Sequence, residues 1–186
     1  VSPREFGYDE ITALLAELGR RLEVRGVRAD VRLVGGAAVA ITGSRRRRTQ
    51  DIDASYAPAA DVDAVAAAMA LELDLPANWL NSSAKAWIPR GAKWIELDLD
   101  APIDVATASP ETLLAMKLSA ARERDEPDIR YLAGILGLTR PEEAARIAEE
   151  LYGDDDVAYT RSDREDAVII AADAMDDRRG EEPDQH

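Results

Sequence analysis

Apolar positions recur first at three- and four-residue spacing and then in short alternating runs. Ile11, Leu14, Leu15, Leu18 and Leu22 line one face of a helix over 8–25, which Gly26 stops. Val31 to Val34 predicts a short strand, and Gly35-Gly36 follows it. The small residues Ala37 to Thr42 predict a helix packed close to a sheet, closed by Gly43-Ser44. Asp51 to Ser55 predicts a second strand, and Asp61 to Leu73 a helix capped by Asp61 or a neighbour. Residues 78–83 read as irregular, and 84–88 suit more than one conformation. Lys93 to Leu99 alternates as a strand, with Ile95, Leu97 and Leu99 on one face and Glu96, Asp98 and Asp100 on the other. Val105 to Thr107 is one more short strand.

The second half changes period. Ser109 caps a helix with Pro110 in its first position, running to Glu123. Asp125-Glu-Pro127 opens another, ending near Gly137, and Thr139-Arg-Pro141 a third, ending before Gly153. A last helix spans 163–177, and 179–186 is a disordered tail. Strands first and helices afterwards predict an α+β (mixed α/β) fold: a small mixed sheet with flanking helices over 1–108, then a helical C-terminal lobe over 109–178.

Composition narrows the chemistry. The chain has 186 residues, no cysteine, and a single histidine, His186. Thiolate metal sites, disulfides and histidine-based catalysis are thereby set aside, leaving carboxylates, Lys, Arg and an added metal. No run of about 18 apolar residues is present and the first ten residues lack a signal-peptide core, so a cytoplasmic protein without a membrane span is expected. The net charge of −14 argues against a generic nucleic-acid coat. That charge is uneven: residues 1–50 carry 10 basic and 6 acidic groups, residues 141–186 carry 5 and 16.

Asp51 and Asp53, two apart on a strand, share a face. Like charges this close repel unless a cation lies between them, and Mg²⁺ takes a few carboxylate oxygens together with phosphates and water. The alternative is a solvent-facing edge strand. Asp98, or Glu96 beside it, could add a third carboxylate from another strand, enough for two metals roughly 3.5–4 Å apart. Gly35-Gly36 either lets backbone amides approach phosphate oxygens or simply makes a tight turn. Arg45 to Arg48 form either a solvated loop or a set of phosphate-binding forks. Lys117, among Leu113, Leu114, Met116 and Leu118, either snorkels to water or clamps a phosphate. Asp125 or Asp128 can cap the helix at Pro127.

The combination resembles the nucleotidyltransferase superfamily with the polymerase-beta-like fold. The matching pattern is Gly35-Gly36, a gap of 14 residues, then Asp51-Ile-Asp53, with a third acid on a later strand. The closer likeness is to AbiEii-type nucleotidyltransferases, including the mycobacterial toxin group. It is carried by LVGGAAVAITG, RRTQDID, ANWLNSSAKAWIP and SPETLLAMKLSAARERDEPDIRYLAGILGL. The resemblance implies that Asp51 and Asp53, with Asp98 or Glu96, hold Mg²⁺ or Mn²⁺. It implies a nucleoside triphosphate held by Gly35, Gly36, Arg47, Arg48, Thr49 and Lys117, with Asp128 (or Asp125) supporting the site. It further implies transfer of a nucleoside monophosphate to RNA, the tRNA 3′ end foremost, by a toxin neutralised by a cognate antitoxin protein. Other readings are modification of a protein or small molecule, a housekeeping domain, and a degenerate binding module.

Overall fold

The computed structural model describes residues 4–43, 47–154, 156–159 and 161–176. Arg45 and Arg46 of the arginine run and the predicted tail 179–186 lie outside the described residues. Two compact units result: Val1–Ile88 with Ala92–Ser109, and Pro89–Gly91 with Pro110–His186.

The first unit contains five strands, β1 (Asp30–Leu33), β2 (Ile52–Ala57), β3 (Leu80–Asn81), β4 (Trp94–Leu97) and β5 (Asp104–Ala108), and three helices, α1 (Tyr8–Val24), α2 (Gly35–Ile41) and α3 (Ala59–Glu72). The sheet order is β3-β2-β1-β5-β4. β1 runs antiparallel to β2 and parallel to β5, β2 is parallel to β3, and β4 is antiparallel to β5. This is the mixed α+β architecture that the strand-then-helix layout predicts.

Alternation gives the sheet two unlike faces. Val31, Leu33, Ile52, Ala54, Tyr56, Val105 and Thr107 are buried on the face that α2 and α3 cover. Asp30, Arg32, Asp53, Ser55 and Glu96 fall on the other by the period of two and the strand register. α1 buries Ile11, Leu15, Leu18 and Leu22 completely, and Gly26 leaves it at φ +70°, a conformation glycine adopts without strain. α3 starts at Ala59 after Pro58, so Asp61 lies within the helix rather than capping it.

Two predictions about the strands are corrected. Residues 80 and 81, read as irregular, form β3. The Trp79 indole is fully buried and donates to the Ala66 carbonyl at 3.0 Å, while the Trp79 carbonyl accepts the Ile52 N–H at 2.7 Å. One anchored side chain thus seats two residues beside β2. The strand expected over 93–99 stops at Leu97, and Ile95 is 45% exposed because β4 is an edge strand.

The second unit is helical: α4 (Pro110–Ala120), α5 (Glu126–Ile135), α6 (Pro141–Tyr152) and α7 (Arg161–Met175). α4 packs against all three others. α4 ends at Ala120, earlier than predicted, because Ala121 takes φ +50° and a short 3-10 turn, Glu123–Asp125, follows. Gly153, at φ +75°, ends α6 as expected.

Candidate functional site

The buried side chains of Ile52, Ala54 and Tyr56 hold β2 with Asp53 and Ser55 facing outward, and Asp51 extends the same alternation one step before the strand. Both carboxylates are half-buried. The segment entering β2 is pinned by a two-way pairing of Thr49 with Phe6, at 2.7 and 3.0 Å. The Thr49 hydroxyl then donates to the Asp51 carbonyl at 3.0 Å. On the other side, the Val34 N–H donates to the Asp53 carbonyl at 2.9 Å, bringing the Gly-Gly turn beside the aspartates.

Both glycines sit at close approaches to neighbouring side chains. Gly35 sits at φ +63°, and a Cβ there would lie 2.7 Å from Asp53 Oδ2. A Cβ on Gly36 would lie 2.8 Å from Thr49 Oγ1. Glycine therefore lets the chain turn directly against Asp53 and Thr49. The structure brings Gly35, Gly36, Thr49, Asp51 and Asp53 together.

A residue that the sequence reading left without a role completes the group. Asn81 is the register partner of Asp53, and its Nδ2 donates to Asp51 Oδ2 at 3.3 Å. The Asn-Ser-Ser that follows the anchoring Trp79-Leu80 was the available signal. The oxygens gathered here are hard donors. Two carboxylates suit Mg²⁺ or Mn²⁺, with phosphates and water filling the remaining positions.

The predicted third acid does not join them. Glu96 lies in the row Ser55, Arg32, Ala106, Glu96, on the same face but three strands from β2. That is about 14 Å at a spacing of 4.7–4.9 Å per strand. Glu96 instead adds to the field around Arg32, whose guanidinium is paired with Asp30 at 3.1 Å and lies 5.3 Å over the Trp94 ring. Asp98 is beyond the end of β4 and exposed. The row of Asp53 meets β4 at Trp94, so Asp98 is also displaced along the strand direction. Alternation located a charged face correctly, but the strand order separates its acids. Among the described residues no three acids, His or Cys gather in a group able to hold a metal.

Arg48 turns toward the start of α1, where it meets Glu10 at 3.2 Å and the Glu5 carbonyl at 3.4 Å. Arg47 is half-buried in the same segment.

The helical unit holds a second polar cluster. Lys117 does not reach for water: its side chain is 11% exposed, and Nζ lies 2.5 Å from Asp125 Oδ1 and 2.8 Å from Asp128 Oδ2. The turn at Ala121 allows this, because it folds the start of α5 back onto α4. Asp125 stands at the α5 N-cap position without making a side-chain capping bond, so its carboxylate serves Lys117.

A mixed five-stranded sheet with one helix-covered face and an aspartate pair beside a glycine turn defines a nucleotidyltransferase-like fold. Its backbone superposes on the crystal structure of an antigenic nucleotidyltransferase-like protein from Paracoccidioides brasiliensis, with a TM-score of 0.54. The likeness covers 95% of this chain and 94% of that one at 16% sequence identity. Residues 10–151 match the family described as "Nucleotidyltransferase of unknown function (DUF6036)", and the chain belongs to that family. No curated protein matches it significantly. No described helix is long and apolar enough to cross a membrane.

Proposed function

We propose that this protein is a metal-dependent nucleotidyltransferase that moves a nucleoside monophosphate from a nucleoside triphosphate to RNA, with the tRNA 3′ end as acceptor, acting in the cytoplasm as the toxin of a toxin–antitoxin pair. The observation that carries the reading is the contact of Gly35 with Asp53, with Asp51 on the same face. A bare α-carbon lets the turn close directly against a half-buried carboxylate, so that the backbone of the turn and the aspartate pair lie side by side.

Asp51 and Asp53 are the residues to hold Mg²⁺ or Mn²⁺, which when bound supplies neutralisation of charge on the transferring phosphoryl group. Gly35 and Gly36 keep side-chain atoms away from the phosphates, and Thr49 steadies the backbone at Asp51. Arg47 and Arg48, in the segment that enters β2, are assigned to the triphosphate. The acceptor hydroxyl oxygen bonds to the α-phosphorus as the bond to pyrophosphate breaks, and a carboxylate takes up the hydroxyl proton. The AbiEii-type resemblance supports the RNA acceptor and the antitoxin.

The test is incubation with each of four labelled nucleoside triphosphates and total RNA. Label should migrate with RNA-sized material, and Asp51→Ala should reduce transfer by more than about a hundredfold, beyond the usual loss for a residue that only supports a metal ligand. Label on protein or a small molecule would redirect the acceptor, and full activity of the variant would remove the assignment. Growth arrest relieved by a neighbouring gene's product tests the toxin role.

The lack of a third acid at the pair among the described residues favours one second reading, a degenerate member that binds without turnover. Mg²⁺-dependent nucleotide binding by calorimetry, without transfer to any acceptor, is its signature.

A further inference from the structure

We propose that Asn81 is the positioning residue of the aspartate pair: it orients Asp51 toward a divalent cation and sets a neutral donor, in place of a third carboxylate, beside Asp51 and Asp53. The inference rests on the metal-dependent reading above and concerns a residue that reading leaves without a role.

The geometry of Asn81 is set from both ends. The buried Trp79 seats Leu80–Asn81 beside β2, so Asn81 pairs with Asp53 across a parallel ladder and shares its face. Its Oδ1 accepts the Ser83 N–H at 3.0 Å, which settles which end of the amide is which. The Nδ2 must then point the other way. It donates to Asp51 Oδ2 at 3.3 Å and lies 3.5 Å from the Asn78 carbonyl. One side chain thereby touches Asp51 and neighbours Asp53. An aspartate here would present an oxygen to Asp51 in place of a donor, and three carboxylates would repel without a cation.

The probe is Mn²⁺ alone, followed by spin-resonance titration and by thermal unfolding in chelator and in excess Mn²⁺. Asn81→Asp should bind Mn²⁺ about tenfold or more tightly than wild type, since ligand charge tunes such sites over decades. It should also melt lower than wild type in chelator and recover on adding Mn²⁺. Asn81→Ala should fold and bind several-fold more weakly. A folded Asn81→Asp with unchanged affinity, or a folded Asn81→Ala with wild-type affinity, would overturn the proposal.

Asp51→Asn separates this from a failure of the metal reading. If wild type and Asp51→Asn take up Mn²⁺ equally, or neither does, the cation assignment fails, and with it Asn81's orienting of Asp51 for a cation. The Asn81 side-chain amide resonance then shows whether the contact itself exists: it shifts in Asp51→Asn when Asn81 holds Asp51 and stays put when the two are unlinked.

Discussion

The two carboxylate pairs of this protein face opposite problems. Asp125 and Asp128 are nearly buried and share one ammonium, that of Lys117. Asp51 and Asp53 are half-buried, and the neighbour the structure gives Asp51 is a neutral amide. Burial without a counter-charge costs several kcal/mol per ion, and the Lys117 ammonium offsets that cost for the inner pair. The outer pair remains in partial contact with solvent. It is therefore open to a dissolved cation in a way that the inner pair is not.

The sharpest way to break this contrast is to remove Lys117. Lys117→Ala leaves two nearly buried carboxylates facing one another and should cost about 3–5 kcal/mol, the usual result of removing one partner of a buried ion pair. Denaturant unfolding measures it. Asp51→Ala should cost no more than about 1 kcal/mol, the net worth of the one hydrogen bond it accepts from Asn81. Equal losses in the two variants would show that the pairs are alike. Any activity lost in Lys117→Ala must accordingly be judged against its folded fraction, whereas activity lost in Asp51→Ala reports on the site directly.

A smaller effect tests how the glycine turn is fitted. Gly35→Ala forces a side chain into the left-handed region, costing about 1–2 kcal/mol, and its Cβ meets Asp53 Oδ2. Gly36→Ala presses instead on the Thr49 hydroxyl, without the positive φ. Gly35→Ala should therefore lose both stability and cation affinity. Gly36→Ala should lose less stability, and its damage should pass through the segment entering β2. Calorimetric Mn²⁺ titration beside thermal melts separates them; identical behaviour would mean that contact with Asp53 has no special weight.

What could be read in advance follows the range of the interactions. The amphipathic face of α1 and the proline-initiated starts of α4 and α6 depend on neighbours in sequence, and they were legible. The Asp51–Asp53 pair on one strand face follows from the period of two. The choice of Asp98 or Glu96 as third acid failed because alternation locates a face but not a strand order, and β1 and β5 stand between. Asn81 was missed because β3 has only two residues and exists through the distant anchor of Trp79 on Ala66. Lys117 permitted two readings until the turn at Ala121 brought Asp125 and Asp128 to it, and nothing in the sequence marks an alanine for a left-handed turn.

The smallest effect at neutral pH extends the comparison to the helical interior itself. Tyr152 and Tyr159 stack there with ring centroids 4.9 Å apart, and burial pushes both phenols up to about 12. The Tyr159 hydroxyl is buried with no hydrogen-bond partner among the described residues, so Tyr159→Phe removes an ionisable group and breaks no bond described there. At pH 7 its stability should lie within about 0.5 kcal/mol of wild type. The unfolded chain releases the phenolic proton near pH 10, whereas the folded chain keeps it to about 12. The folded state therefore binds more protons across that window, and wild-type stability falls as pH rises from 10 toward 12. Tyr159→Phe should fall less steeply and overtake wild type there. Far-UV dichroism melts follow the helices, while tryptophan emission follows the first unit, which holds Trp79, Trp87 and Trp94. The gain should be plain in the first signal and weaker in the second. Parallel alkaline losses in wild type and variant would mean that the helical interior admits a phenolate, and the rule that it takes charge only with a partner, drawn from Lys117, would fail.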